Sequence, residues 1–475
     1  MKRLLFAIFC ILCCGVCNSA QIVNVEYIHK LIEQEYGITV PYNSDLTNPQ
    51  VAANMKYLLT TIDAANSILN GEQITDYGNS EYATTVATDT VATIKASETL
   101  IDTSKFVFNV ITKNNINTFS FNISAAGTFY IYWGDNTFQT INKQNTESET
   151  ITHNFSKANK YKIRIGGKAT AYNTSGTVPA IQFINNVQNI EGSLGQIFST
   201  LSDGTQPIFY NTFSGCGLSG MIPETLFKGI IGQPVDNMFS QTFQYTNITQ
   251  IPDGLFADIQ GTPTKALFNG TFKNTAITNL PENLFSGIKG VTQQNTFHNT
   301  FNACSKLVGP IPENLFASIY GQPAGGAFER MFANCTNLSG PLPPKLFAGI
   351  KGKPSSAFSQ TFYNCKKLTG EIPEKFFGEI SGETSGFMFW GTFNGCSGLT
   401  GTIPENLFGD IYGSAKGYMF LNTFTNCSGL TGPSAKINGQ YLYEIWPDAT
   451  NVQVGSMYSG ATGLTDYADI PSPWK

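Results

Sequence analysis

Charge is scarce in this chain: Asp, Glu, Lys and Arg together make up 13% of its 475 residues, and the formal net charge is −5. No Lys/Arg-rich run follows the first residues, so the electrostatic footprint of a nucleic-acid binder is missing. Histidine is confined to His29, His153 and His298, in three separate segments. No Ser-His-Asp or Cys-His constellation is therefore suggested, and no Gly-x-x-x-x-Gly-Lys-Ser/Thr segment offers a phosphate cradle. Acids recur, but no unique pair of the kind a glycosidase needs stands out. These absences argue against an enzyme and imply no cofactor. After the first twenty residues no apolar run approaches the roughly 18–20 residues that a membrane-spanning helix needs. No Leu-Pro-x-Thr-Gly motif occurs near the C-terminus, and residues 467–475 read as a tail.

What is abundant is glycine, with 46 copies, and phenylalanine, with 36. A disordered chain would not need so much Phe, so something repetitive is being filled. The chain opens with Lys2 and Arg3, an apolar run from Leu4 to Val16, and small or polar Asn18, Ser19 and Ala20. That pattern predicts a signal peptide over 1–20 and a secreted or cell-surface location. A helical segment is expected over 21–71, where Met55, Leu58, Leu59, Ile62, Ile68 and Leu69 recur at helical spacing before Asn70-Gly71. A Thr/Ala/Asp-rich linker is expected over 72–104.

Over 105–172 the pattern alternates, with Phe106, Phe108 and Val110, then Phe119, Phe121 and Ile123, then Phe129, Ile131 and Trp133, then Tyr161, Ile163 and Ile165. Period two with Asn/Gly breaks predicts a small β-sandwich. Trp133-Gly134-Asp135-Asn136, His153-Asn154-Phe155 and Tyr161-Lys162-Ile163 resemble the landmarks of polycystic-kidney-disease-type immunoglobulin-like domains, with Asn136 in place of the usual Gly. The resemblance implies a spacer or weak binding module.

From about residue 178 one unit recurs: F-x-x-T-F-x-x-C-x-x-L-T-G-x-I-P-E-x-L-F-x-x-I-x-G. Its second Phe falls at 213, 243, 272, 301, 332, 362, 393 and 424, a spacing of 29 to 31 residues. Such a period predicts a solenoid over 178–466 with degenerate end caps. The Leu-Thr-Gly-x-Ile stretch is the expected parallel strand, and Pro is expected to open a helical turn. The acids at Glu224, Asp253, Glu282, Glu313, Glu374 and Glu405 then complement a helix start, which is favoured over a calcium spine because Pro344 interrupts the series. Cys216, Cys304, Cys335, Cys365, Cys396 and Cys427 sit at one position of the unit, where Thr246 and Thr275 also occur. Interchange with Thr and the lack of Cys-x₂₋₄-Cys spacing point to small buried side chains rather than disulfides or zinc ligands.

The Phe-x-x-Cys-x-x-Leu unit resembles the repeats of BspA-like bacterial surface leucine-rich-repeat proteins, although the period here is longer. The resemblance implies surface exposure and adhesion. The expected fold is thus α+β: about eight leucine-rich-type repeats preceded by a helical segment and a small β-sandwich. The expected function is non-enzymatic recognition of an extracellular protein or glycan. A self-associating envelope component and a carbohydrate-active or glycan-binding protein are the alternatives. Specificity should sit where rungs differ, at strand-flanking Lys306, Asn337, Lys367, Glu371 and Thr402, or in loops such as Gln233-Pro234-Val235-Asp236. Trp390 and Tyr418 lie near the Phe stripe and read as core.

Overall fold

A computed structural model describes residues 105–113, 117–184 and 187–475. The signal peptide, helical segment and linker expected before them lie outside the described residues. The alternating segment forms eight strands: β1 (Phe106–Ile111), β2 (Thr118–Ile123), β3 (Ala125–Tyr132), β4 (Phe138–Lys143), β5 (Glu149–Asn154), β6 (Lys160–Tyr172), β7 (Ile181–Phe183) and β8 (Val187–Gly192). They make two antiparallel sheets, ordered β4-β3-β6-β1-β8 and β5-β2-β7. The inward residues of each period-two pattern meet between them: the Phe108 and Phe119 rings lie 5.6 Å apart, and Phe121 and Trp133 6.1 Å apart. The sheets run past the boundary expected at 172, because β7 and β8 supply an edge strand to each.

The Trp-Gly-Asp segment is explained locally. Trp133 is buried and stacks on His153 at 4.5 Å, and His153 Nε2 lies 2.7 Å from Asp135 Oδ2. Burial pushes the Asp135 carboxyl up, but hydrogen bonds from Thr137 and His153 outweigh it and hold it below its ordinary value of 3.8. A lowered carboxyl contributes stability that is present above pH 3.8 and lost as pH falls through the folded value. Asp135→Ala should therefore cost about 1–3 kcal/mol near neutral pH, and the difference from the parent should shrink below pH 3.8. Urea midpoints across that range check both.

Beyond β8 the chain winds into a β-solenoid of about seven turns, bounded by the eight repeat Phe positions. Its strands are short: β9 (Ser219–Met221), β10 (Asn247–Gln250), β11 (Gly340–Pro341), β12 (Lys351–Gly352), β13 (Leu368–Thr369), β14 (Glu379–Glu383), β15 (Gly401–Thr402), β16 (Asp410–Tyr412) and β17 (Leu430–Thr431). Parallel pairs β9–β10, β11–β13 and β15–β17 fall on or beside the Leu-Thr-Gly stretch. A second parallel ladder runs through Ile-x-Gly, in β12–β14–β16 and in bridges such as Gly261 to Ile288.

The helix expected after each Pro does not form. In its place are consecutive tight turns, as in Leu226 N–H to Pro223 O, Lys228 N–H to Thr225 O and Ile230 N–H to Phe227 O. Every second amide bonds three residues back, which breaks the i→i−4 ladder of a helix. The fold is accordingly mostly β, and the α component of the expected α+β class is corrected: among the described residues helix is confined to short turns near the C-terminus. The acids thus face no helix dipole. They are exposed and reach between rungs, with Glu313 3.5 Å from Lys345 Nζ and Glu282 accepting from Asn314 Nδ2 at 3.1 Å.

The Phe-x-x-Thr-Phe segment uses the same device. Met238, Ser240 and Thr242 donate their N–H groups back within the rung, whereas Phe239, Gln241 and Phe243 donate to carbonyls of the next rung. Alternation places a positive φ at every fourth residue, for example Asn237 (57°), Gln241 (58°) and Tyr245 (58°). Asn and Gly recur at these positions because they tolerate the left-handed region.

Inside, the rings stack in columns. Second-Phe rings lie 5.5–5.8 Å apart, from Phe213 on Phe243 to Phe393 on Phe424, within 12° of parallel. A column of first Phe rings and one from the Leu-Phe pairs interleave with it. Between rungs, buried Thr hydroxyls donate to Phe carbonyls, as Thr300 Oγ1 does to Phe268 O at 3.0 Å and Thr392 Oγ1 to Phe358 O at 2.9 Å. The cysteines do likewise: Cys335 Sγ donates to Phe301 O and Cys396 Sγ to Phe362 O, each at 3.1 Å. Thr246 and Thr275 fit because their hydroxyls reach the carbonyl of their own rung's Phe.

All six repeat cysteines are unpaired and buried. Burial pushes the Cys304 thiol up to about 11 and those of Cys216 and Cys427 to about 12. A raised thiol contributes stability that is complete below the ordinary value of 9.0 and is lost as pH rises towards the folded values. The chain should therefore lose stability between pH 9 and 12, by up to about 1.4 kcal/mol per pH unit for each thiol. A Cys396→Ala variant should show a shallower alkaline slope in urea titrations.

Both ends are closed by aromatic residues. Phe183 of β7 stacks on Phe213 at 5.1 Å and donates its N–H to Thr212 O, so the three-stranded sheet occupies the place of a preceding rung. At the far end come the hairpin β18 (Lys436–Ile437) and β19 (Gln440–Tyr441) and the one-turn helices α1 (Leu442–Ile445) and α2 (Asn451–Val454). There Tyr458 stacks on Phe424 at 6.0 Å, beside buried Trp446 and Trp474. An end rung has no neighbour to cover it, and these groups supply the cover.

Candidate functional site

The strand-flanking residues fall in two rung-to-rung lines. Lys306, Asn337 and Lys367 occupy the same position of consecutive rungs. Lys367 Nζ donates to Asn337 Oδ1 at 2.6 Å, and Asn337 Nδ2 to Ser305 O at 2.7 Å. Glu371 and Thr402 share a position four residues further along the unit and are exposed, as are Lys306 and Lys367. Two shallow depressions open between neighbouring Leu-Phe turns, of about 340 Å³ beside Glu224 and Gly254 and about 220 Å³ beside Asn283 and Asn314. Glu224, Lys228 and Asp258 line the first and no titratable side chain lines the second, and among the described residues no group of three or more His, Cys, Asp or Glu is placed to hold a metal.

Another surface, missed in the sequence, is more distinctive. Trp390 and Tyr418 are not core residues. Phe387 and Tyr418 are 41% and 40% exposed and stack on each other at 4.7 Å. Trp390, half-buried, packs edge-on to Phe387 at 5.7 Å and lies 6.0 Å from Tyr418. Arg330 sits 5.9 Å over the Trp390 ring, and its Nε donates to Gln360 Oε1.

Backbone geometry marks two of them, as it marks exposed Tyr245 (φ 58°) in an earlier rung. Phe387 (φ 61°) and Tyr418 (φ 60°) occupy the left-handed position that earlier rungs fill with Asn237, Ala266, Asn295, Gly326 and Ser356. A bulky residue there costs on the order of 1–3 kcal/mol. Stacking of the exposed pair returns only about 0.5–1.5 kcal/mol. Neither burial nor backbone preference accounts for the choice. The missed signal was an aromatic residue standing where sister rungs carry Asn, Gly or a small side chain. Phe387→Asn combined with Tyr418→Asn should leave the chain as stable as the parent or up to about 2 kcal/mol more stable, measured by urea midpoint.

The same face carries His298, whose imidazole is pushed down to about 4 by burial and by the charges of Arg330 and Lys273. It is neutral at physiological pH and its ring nitrogens lie against Asn299 Nδ2. The assembled surface is one of rings and side-chain amides without a nucleophile–base pair. In comparison with known proteins, the chain matches no family model, none of the curated proteins and none of the solved structures.

Proposed function

We propose that this chain is a secreted or surface-exposed recognition protein, which holds an extracellular protein or glycan on its solenoid and performs no chemistry on it. One observation carries the reading: the rung interior is repeated nearly unchanged, while the outer face breaks its own backbone preference to display Phe387 and Tyr418, with half-buried Trp390 packed beside them. Strain kept at an exposed site without a compensating gain in stability is characteristic of functional residues. The Phe-x-x-Cys-x-x-Leu unit supports kinship with BspA-like leucine-rich-repeat surface proteins. The Trp133, Asp135 and His153 cluster supports a polycystic-kidney-disease-type domain acting as spacer and cap, and the pattern of residues 1–20 supports export.

The test is binding of the full chain to arrays of extracellular-matrix proteins and glycans. Deleting the repeats is an unsuitable control, because β7 and β8 belong to the sheets and sit at the solenoid junction. Surface substitutions serve instead. The expected result is saturable binding that falls about tenfold or more, roughly 1.4 kcal/mol, in the Phe387→Asn/Tyr418→Asn variant or in Lys367→Glu. No saturable binding, together with concentration-dependent self-assembly in sedimentation, would overturn it in favour of a self-associating envelope component.

A further inference from the structure

The Leu-Phe turns of four consecutive rungs, at 223–230, 252–259, 281–288 and 312–319, carry one sign of charge in excess. Glu224, Asp253, Asp258, Glu282 and Glu313 stand on them against Lys228, and all six side chains are exposed. Two of these acids take a nitrogen donor from the next rung, from the residue one place past its acid position. Asn314 Nδ2 lies 3.1 Å from Glu282 Oε1, and Lys345 Nζ lies 3.5 Å from Glu313 Oε1.

For Glu224 the corresponding residue is Gly254, which offers no donor. A Cβ there would lie 2.8 Å from Glu224 Oε1, so the carboxylate rests over bare glycine. The depression of about 340 Å³ opens at this place, larger than the one of about 220 Å³ beside Asn283 and Asn314, where side chains are kept. Its volume falls within the range of small-ligand sites, about 300–1,000 Å³. Phe227, Leu255, Phe256 and Ile259, all buried, form its floor, and Glu224, Asp258 and Lys228 stand at its exposed rim.

Two carboxylates and one ammonium leave a single negative charge over an apolar floor. The complementary group is a single cation on an apolar stem. A primary ammonium brings three donors and no acceptor, and a methylene stem lies along apolar surface while its head reaches the charge. An anion would be repelled, and a neutral ligand would desolvate the carboxylates without replacing the water they lose.

We infer that the depression between the Glu224 and Gly254 turns binds a primary ammonium on an alkyl stem, presented as a lysine side chain by a protein partner. Gly254 leaves room for the nitrogen that sister rungs supply from within the chain. The site goes beyond the recognition reading above, because these turns are separate from the segments that carry Phe387, Trp390 and Tyr418.

The experiment titrates the full chain, at low salt, with a blocked glycine pentapeptide bearing one central lysine, and with the same peptide bearing norleucine or ε-acetyl-lysine instead. Saturation-transfer NMR follows binding. The lysine peptide should bind saturably at millimolar concentration or below, and the two uncharged peptides should not. Affinity should fall about tenfold or more in Glu224→Gln and in Gly254→Asn, and should stay unchanged in Glu282→Gln, where Asn314 already answers the acid. Gly254→Asn should keep the parent's unfolding midpoint. Gly254 lies outside the left-handed region, Asn283 and Asn314 hold the same position, and the new Cβ meets the mobile end of Glu224. The inference is overturned if the three peptides bind alike, or if Gly254→Asn leaves lysine binding unchanged. It is also overturned if Glu282→Gln weakens binding as much as Glu224→Gln, which would mean diffuse attraction to acids. Capture of an extracellular protein that Gly254→Asn does not weaken would sink this site and leave the recognition reading standing.

Discussion

Phe297→Ala should destabilise the chain by about 3–5 kcal/mol, the range for truncating a fully buried Phe. Its ring stacks on Phe268 and Phe328, each at 5.7 Å, and meets Phe285 at 5.1 Å and Phe316 at 4.8 Å nearly edge-on. Four rings from three rungs therefore lose a partner at once. The surrounding columns cannot close the space, because their spacing is held by the Thr and backbone hydrogen bonds between rungs. In a solenoid each rung contacts only its neighbours, so the damage should be local. Urea unfolding followed by circular dichroism should show a lowered midpoint and a transition that broadens or splits at the weakened rung. A loss below about 1.5 kcal/mol would mean that the columns slide to refill the gap.

Gly409→Ala should cost about 3 kcal/mol or more, whereas Gly232→Ala should cost only about 1 kcal/mol. Both residues have positive φ, 64° and 82°. They differ in what a methyl group would meet. At Gly409 a Cβ would lie 1.9 Å from Ile380 O, the carbonyl just ahead of the residues of β14 that pair with β16, whereas at Gly232 nothing lies within 4 Å. The first substitution must push neighbouring rungs apart, and the second bears only the left-handed backbone term. Equal losses in the two variants would show that the second ladder yields freely and does not set the rung spacing.

How far the site could be read in the sequence differs from residue to residue. Lys306, Asn337 and Lys367 could be aligned by counting from the repeat Phe, and they do stand in line. The bonds from Lys367 to Asn337 and from Asn337 to Ser305 were not legible, since contact across rungs depends on side-chain direction. Trp390 and Tyr418 were misplaced because hydrophobicity alone assigns an aromatic residue near a Phe stripe to the core. Position two residues before the first buried Phe and six before the second, combined with the sign of φ, turns Phe387 and Tyr418 outward. The expected post-Pro helix failed for a related reason. Pro and an acid are good helix openers, but here only every second amide bonds three residues back, which leaves no continuous i→i−4 series, and stacking of the Leu-Phe rings from rung to rung prevails over local propensity.

By itself the sequence determined the period, the Phe columns, the parallel Leu-Thr-Gly strands, the unpaired buried cysteines and the sheet-forming segment before them. Each is written in side-chain identity repeated at a regular interval, and burial selects identity. Only the tertiary structure decided four things: that the solenoid has almost no helix, that Ile-x-Gly forms a second ladder, that β7 acts as the rung before the first, and that Phe387, Trp390 and Tyr418 pack together on the outer face. These follow from contacts between residues about thirty positions apart, and a single rung contains only one partner of such a pair.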